Sequence, residues 1–189
     1  MKNITHVLAI DPSGNFKEGK GTTGWVLMQL PNKLIKCGTI KAFNYKTQEA
    51  YWNAHTKLLE TYINKYSKNL IVVLEDYILY ENRAYNQINS QIETCRLLGI
   101  LQWYCWKRKQ KYIIETAAQV KTRWSDYILT EKGIIMYVKR KPIHASTGLE
   151  LNNHTKDALR HALHFSYCKN KKSSSKQKRK QKHKQLSNY

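Results

Sequence analysis

The chain has 189 residues, enough for one domain with a sizeable core, and its Lys and Arg number 33 against 13 Asp and Glu. The formal net charge of +20 favours a polyanionic partner, nucleic acid above all, because each neutralised phosphate releases counterions. No apolar run approaches the roughly 18 residues of a membrane span, and no signal peptide is evident. The four Cys are scattered, as is typical of reduced thiols in a cytoplasmic protein, so we expect neither a membrane protein nor a disulfide-stabilised one.

The chain opens with three predicted strands that form an antiparallel meander: residues 4–11, 22–30 and 34–40. Apolar residues then recur at helical spacing over 47–66. The continuous apolar run 70–76 is typical of a buried parallel strand.

The second half alternates helices with one strand and one loop: a helix over 84–107, a strand over 111–115, a helix over 117–129, a mobile basic loop over 130–153, and a helix over 155–167. This order predicts an α/β fold, a mixed sheet flanked by helices on both faces.

Residues 169–189 form a candidate tail that carries nine basic residues and no acidic one. This composition predicts a segment that is disordered in the free protein. We therefore divide the chain into a domain over 1–168 and a basic tail over 169–189. The tail could serve solubility alone, but a surplus of basic residues remains outside it and favours nucleic acid.

Two of the predicted strands end in a carboxylate. Asp11 closes the first apolar run and is followed by Pro12, Ser13 and Gly14, and Glu75 lies near the end of the run 70–76. Ligands of such sheets bind beyond the carboxyl ends of the strands, which makes both acids candidate site residues. On its own stretch, Asp11 could equally well serve only the turn.

The last predicted helix adds two more candidates. With Asn153 as the N-cap, His154 and Asp157 lie three residues apart on one face of the first turn. An Asp there also favours the helix dipole without any function. Three carboxylates and an imidazole in one site would repel unless they bound cations, and oxygen ligands suit Mg²⁺ or Mn²⁺. Two such ions can cleave a phosphodiester, so a basic chain with an acidic pocket is a candidate nuclease.

Four stretches, taken together and in order, resemble the RuvC family of Holliday junction resolvases over residues 4 to about 168. They are Leu-Ala-Ile-Asp-Pro-Ser-Gly at 8–14 with Thr-Gly-Trp at 23–25, Val-Val-Leu-Glu-Asp-Tyr at 72–77, Ala-Ala-Gln-Val-Lys at 117–121, and His-Thr-Lys-Asp-Ala-Leu-Arg-His-Ala at 154–162. The resemblance implies a ribonuclease H-like fold, a homodimer, and paired nicks in four-way junctions. It implies that two metal ions are held by Asp11, Glu75, His154 and Asp157.

The resemblance also suggests residues that contact DNA. Lys121 matches a basic residue that the family uses near the DNA. The family's aromatic wedge falls on Ile78 here, so Tyr77 or Tyr80 would stack on junction bases instead. We add three cations from the predicted basic loop, Lys139, Arg140 and Lys141. The small, lysine-rich chain is typical of a phage-encoded member, which would act in the host cytoplasm.

Other motifs have simpler explanations. Residues 19–24 fit Gly-x-Gly-x-x-Gly, but a dinucleotide site needs a following helix and 22–30 is a predicted strand. The histidines and the Cys near the C-terminus fit no familiar zinc spacing. Trp103, Tyr104 and Trp106 could stack on bases, although the equivalent helix of RuvC-like proteins contributes to the dimer, the role we favour.

Two alternative functions remain open at this point. A ribonuclease H-type enzyme that cuts RNA–DNA hybrids would use an acid in the first turn of the first helix, near Glu49. A non-catalytic protein could instead coat or bend branched DNA through its charge and tail.

Overall fold

A computed structural model of the chain describes residues 4–77 and 84–186, with the main chain alone for 84–92 and 172–186. Its first elements follow the predicted order: β1 (His6–Asp11), β2 (Thr22–Gln29), β3 (Lys33–Lys41), α1 (Gln48–Tyr66), β4 (Leu70–Asp76), α2 (Ala84–Lys107) and β5 (Tyr112–Thr116). The second half continues with α3 (Ala117–Lys121), α4 (Asp126–Glu131), β6 (Ile135–Val138), β7 (Lys141–His144) and α5 (Asn153–Leu186).

The first five strands form one mixed sheet in the order β3-β2-β1-β4-β5. The meander β1-β2-β3 is antiparallel, whereas β4 and β5 run parallel to β1. The carboxyl ends of β1, β4 and β5 therefore share one edge of the sheet.

Helices cover both faces of this sheet, as the continuous apolar runs of β1 and β4 require. Helices α1 and α2 pack on one face, where Leu8, Ile10 and Leu74 meet Tyr51 and Leu101. Helices α3 to α5 pack on the other face over a second core cluster that includes the following buried residues: Val7, Ala9, Val73, Val120, Leu129, Leu159 and Phe165. Within the described residues, no helix is long and apolar enough to cross a membrane.

The helix predicted over 117–129 is two short helices, so that prediction was wrong in extent. Helix α3 ends at Lys121, and Ser125 caps α4 by accepting a hydrogen bond from Ile128 N at 3.3 Å. Between them Trp124 turns into the core and is 9% exposed. A buried indole together with a new N-cap outweighs the continuous helical pattern.

The prediction of a mobile basic loop over 130–153 was also wrong, because β6 and β7 form an antiparallel hairpin there. Its base is held by the buried Ile135 and His144. Lys139 and Arg140 make the two-residue turn, with φ of 48° and 66°. Both lie in the left-handed region, as such hairpin turns demand.

Helix α5 begins and ends differently from the prediction. Asn152, not Asn153, is the N-cap: its Oδ1 accepts from Thr155 N at 2.8 Å, and its own N donates to Thr155 Oγ1 at 2.7 Å. The helix continues to Leu186, so residues 169–186 are helical where we expected disorder. Lys, Gln and Arg are good helix formers and no Gly or Pro interrupts them. The division into domain and tail stays a prediction.

Candidate metal centre

Three of the four predicted site residues converge at the shared strand edge. Asp11 is the last residue of β1, Glu75 lies near the end of the adjacent β4, and Asp157 lies in the second turn of α5. One carboxylate oxygen from each lies within 4.8 Å of the other two. Hard oxygen ligands at this spacing fit a divalent cation such as Mg²⁺ or Mn²⁺.

A close contact between β2 and α5 brings Asp157 to this edge. Gly24 pairs with Asp11 in the sheet and faces the first turn of α5. A Cβ on Gly24 would lie 2.2 Å from the carbonyl carbon of His154, closer than real Cβ contacts. The absent side chain is therefore what lets the helix N-terminus approach the strand.

Burial and the neighbouring charges both affect the ionisation of Asp11. Burial raises the pKa of Asp11 to about 6, a hydrogen bond from His154 opposes that rise, and the charges of Glu75 and Asp157 add to it. A carboxylate whose ionisation is disfavoured by burial and by like charges is stabilised by a bound cation. The electrostatics and the donor set thus both fit a metal centre.

His154, the fourth predicted residue, contacts Asp11 directly. Its Nδ1 lies 2.9 Å from Asp11 Oδ2, and the side chain is about half-buried. The hydrogen bond with Asp11 raises the pKa of His154 although burial opposes the rise. The structure thus places His154 at the site as a partner of Asp11, and its role as a metal ligand stays a prediction.

Two further residues at the site were not predicted. His161 lies one helical turn beyond Asp157, with Nε2 3.1 Å from Glu75 Oε2 and Nδ1 3.1 Å from Glu115 Oε2. Glu115 is the β5 neighbour of Glu75 in the sheet. Burial alone would lower the pKa of His161, but the hydrogen bonds and charges of Glu115 and Glu75 raise it to about 9. His161 follows Asp157 by four residues and so shares its helix face, and this spacing was the feature of the sequence that could have indicated His161.

Asp157 has two cationic partners. Lys121 Nζ lies 3.1 Å from Asp157 Oδ2, and Arg160 Nη1 donates to Asp157 Oδ1. Burial would lower the pKa of Lys121, but its hydrogen bond with Asp157 and the charges of Asp157 and Glu75 raise it. Lys121, predicted to lie near DNA, is thus anchored on the cluster itself.

The loop after Asp11 is held in place by buried side chains of α1 and β2. Tyr51 donates its hydroxyl to Ser13 O at 2.6 Å, and Thr23 Oγ1 accepts from Ser13 N at 3.0 Å. His55 Nε2 lies 2.8 Å from the same Thr23 oxygen, and burial lowers the pKa of His55 to about 4. A neutral imidazole beneath the loop therefore completes a buried network that fixes the backbone beyond Asp11.

Helix α2 holds the same loop from the other side. Glu93 Oε2 accepts from Phe16 N at 2.6 Å, and Thr94 Oγ1 accepts from Gly14 N at 3.0 Å. A Cβ on Gly14 would lie 2.2 Å from the Glu93 backbone. Gly14, which the sequence pattern assigned to a turn, thus also permits the close approach of this loop to α2.

The predicted DNA-contacting residues lie at different places. Tyr77 follows β4 and is half-buried, and burial raises its pKa. Tyr80 lies outside the described residues. Lys139 and Arg140 are exposed at the hairpin tip, whereas Lys141 lies behind them and pairs with Glu150 at 3.2 Å. The tip therefore presents two exposed cations, and neither pairs with an acidic residue of the hairpin.

Comparison with known proteins gives structural matches. A structure of RuvC from Thermus thermophilus in complex with Holliday junction substrate is matched at a TM-score of 0.63 and 16% identity, with 87% of this chain and 95% of that chain covered. A second Thermus thermophilus RuvC structure is matched at a TM-score of 0.59 and 14% identity, with the same coverage. No protein-family model matches the chain, and no curated protein gives a significant sequence match. The chain has a RuvC-like, ribonuclease H-like fold, as predicted.

Proposed function

We propose that the chain is a metal-dependent endonuclease that nicks four-way junctions and related branched DNA. One observation carries the proposal: three carboxylates lie within 4.8 Å at the strand edge of a RuvC-like sheet, in a chain with a net charge of +20. The overall charge attracts DNA, and the acidic cluster supplies ligands for the ions that cleavage needs.

Asp11, Glu75, His154 and Asp157 are the proposed ligands of two Mg²⁺ ions, with Mn²⁺ as a possible substitute. Bound there, the ions would activate water for attack on phosphorus and stabilise the departing 3′ oxygen. The chain's own residues orient this ligand set: His161 holds Glu75, and Lys121 and Arg160 hold Asp157. Such partners of ligands fix ligand geometry and tune metal affinity.

We propose that Lys139 and Arg140 contact DNA phosphates, with smaller contributions from Lys121 and Lys141 because Asp157 and Glu150 already pair with them. Tyr77, and Tyr80 outside the described residues, are the proposed stacking residues. The basic segment from Lys169 onward would add affinity that does not depend on sequence.

A homodimer is part of the proposal, and the enzyme would act in the cytoplasm, the host's if the chain is phage-encoded. Helix α2 supports the dimer because it exposes two large side chains, Trp103 at 53% and Trp106 at 72%. Apolar rings at such exposure are typical of protein interfaces. Sedimentation of wild type and Trp106→Ser would test it, with a dimer expected for wild type and a weakened one for the variant.

The deciding experiment measures cleavage of an end-labelled four-way junction, a Y-fork, a linear duplex and an RNA–DNA hybrid. Wild type and Asp11→Asn are compared, each with Mg²⁺ and with a chelator. We expect symmetric, metal-dependent nicks in the junction that the variant does not make, while the variant still binds the junction because its basic surface is intact.

Other outcomes of the same experiment support the two alternatives. Cleavage of the hybrid alone, lost in Glu49→Ala, would indicate a ribonuclease H-type enzyme, although Glu49 is exposed and is not one of the three clustered acids. Binding without cleavage of any substrate would indicate a non-catalytic DNA-binding protein.

A further inference from the structure

The β6–β7 hairpin has an unusual outer face. Its register pairs Met136 with Ile143 and Val138 with Lys141, so these four side chains share one face. The opposite face carries Ile135 and His144, which are buried at the base of the hairpin, and Tyr137, which lies nearer the tip and is 47% exposed. Met136 and Val138 on the first face are both 46% exposed, so this apolar strip is open to solvent.

The hairpin tip combines this apolar strip with two cations. Lys139 and Arg140 occupy the turn positions with positive φ, where Asn and Gly are the residues usually found. Both side chains thus stand in a backbone conformation that is unfavourable for them, and the turn alone does not require cationic side chains, which points to a function at the tip.

The hairpin is fixed at its base and is linked to the candidate metal centre through side chains. His144 N donates to Leu149 O at 2.8 Å, and Ala145 N donates to Ile134 O at 2.9 Å. Tyr137 Oη donates to Asp126 Oδ2 at 3.3 Å. Because Arg160 binds both Asp126 and Asp157, one ion-pair network joins the hairpin to the cluster.

We propose that the hairpin opens the branch point of a bound four-way junction, an inference that rests on the proposed function. Lys139 and Arg140 bind phosphates flanking the branch point, while Met136 and Val138 pack against the bases exposed there. Apolar side chains that insert between base steps unstack and kink DNA in this manner. DNA fits the strip better than a second copy of the chain does, because two copies would bring the same cations together at the contact.

Two double variants separate the apolar strip from the cations. Met136→Ser with Val138→Ser removes the strip from exposed positions, and Lys139→Asn with Arg140→Gly removes the cations while supplying the residue pair that this turn prefers. Phe43→Ser is the matched control, since Phe43 is an apolar side chain outside the hairpin that is 68% exposed. All variants are made on Asp11→Asn so that the DNA stays uncut.

The measurement uses a four-way junction with 2-aminopurine at the branch point, titrated at several salt concentrations. Asp11→Asn and the Phe43 control should raise the fluorescence on binding, because unstacked 2-aminopurine is brighter. The apolar double variant should bind within about threefold of its parent yet lose at least about half of the rise. The tip variant should bind about tenfold more weakly, with a salt slope smaller by about one to two units.

A full fluorescence rise at saturation by the apolar variant would overturn the inference and leave the proposed function standing. So would a change of that variant's mass in sedimentation without DNA, because the strip would then be a contact between copies. If Asp11→Asn binds no junction and wild type cuts none, the proposed function itself fails.

Discussion

Burial and two neighbouring carboxylates disfavour the ionisation of Asp11, and this predicts how stability responds to pH. Its pKa in the folded chain is about 6, above the ordinary value of 3.8, chiefly through burial. A raised folded pKa contributes stability that is fully present below the unfolded pKa and is lost as pH rises through the folded one. The metal-free protein should therefore lose stability between about pH 4 and 6.

The raised pKa of His154 acts in the same direction, because stability from its ion pair with Asp11 is also lost as pH rises. Asp11→Asn removes both effects. In chelator, the melting temperature of the variant relative to wild type should increase from pH 4.5 to pH 8, by an amount equivalent to about 2 kcal/mol. Mg²⁺ should stabilise wild type more than the variant. A difference in melting temperature that stays constant with pH would contradict this account.

His161 is the residue at the site whose removal should be most informative. His161→Ala leaves Glu75 and Glu115, whose side chains are 13% and 12% exposed, as neighbours on adjacent strands with no group between them. We expect cleavage to fall about 10–100-fold, the usual effect of losing a partner of a metal ligand, with a shifted Mg²⁺ requirement. Cleavage is measured as a function of Mg²⁺ concentration after circular dichroism has shown that the variant is folded.

His164→Ala is the matched control, since His164 lies one turn further along α5 and pairs with Cys168. His161→Ala should also lower the stability of the protein, because the two carboxylates then face each other. Adding Glu115→Gln should restore part of that stability, because it removes one of the two charges. If the single variant cuts normally at every Mg²⁺ concentration, His161 has no role in holding Glu75.

The sequence was sufficient to place Asp11, Glu75 and Asp157, because each lies at a strand end or a helix start that local pattern reveals. His161 and Glu115 escaped prediction because their partnership depends on the pairing of β5 with β4 and on the packing of α5 across both. A buried His within a helix is more often a core residue, and its sequence neighbours do not show the two carboxylates. Tertiary contacts of this kind are absent from a single sequence.

Gly24 is where strand β2 and helix α5 meet most closely, and it offers a test of that contact. Gly24→Ala would place a Cβ 2.2 Å from the His154 backbone, so the start of α5 must shift. We expect a loss of stability of about 2–3 kcal/mol and a large loss of cleavage even where the protein remains folded. Chemical denaturation and junction cleavage measure the two effects.

Gly99→Ala is the control for that substitution. Gly99 lies in α2, and a Cβ at this position would have no heavy atom within 4 Å, so Ala should be accepted there and stabilise by about 0.5–1 kcal/mol. Unchanged cleavage by Gly24→Ala would show that the close contact does not position His154 and Asp157.

The elements predicted best are those with long, regular patterns. Helix α2 and strand β4 begin and end where apolar periodicity placed them, at Ala84–Lys107 and Leu70–Asp76. The β6–β7 hairpin was missed because its strands have four residues each and its turn consists of Lys139 and Arg140. The usual Asn-Gly signal of a two-residue hairpin is absent, so tertiary contacts, among them the burial of Ile135 and His144, define it.

Acidic and basic residues are distributed differently over the chain. Acidic residues are few. Those at the carboxyl ends of the strands lie close together, and each contacts one or more of four cationic or imidazole side chains: His154, His161, Lys121 and Arg160. The excess of basic residues over acidic ones is shared between the domain and the C-terminal end of α5. The sign and size of this charge follow from composition, whereas the concentration of acids at one edge depends on the fold.

The basic end of α5 should govern how binding responds to salt. Truncation after Asn170 keeps Lys169, which donates to Ile4 O, and removes eight of the chain's 33 basic residues. Each phosphate that the protein no longer neutralises should lower the slope of log K against log salt concentration by about 0.9, so a fall of several units is expected. Discrimination between junction and linear duplex should persist, because the candidate site and hairpin are untouched.

The matched comparison for this truncation replaces the same eight cations by Gln, which keeps the length and the helix propensity. Equal slopes for the truncated and the Gln-substituted protein would assign the effect to charge. A larger loss on truncation would assign part of it to the helix itself, and a slope unchanged from wild type in both would show that the end of α5 does not contact DNA. Binding isotherms from about 50 to 300 mM salt separate these results, since the electrostatic contribution changes by orders of magnitude over that range.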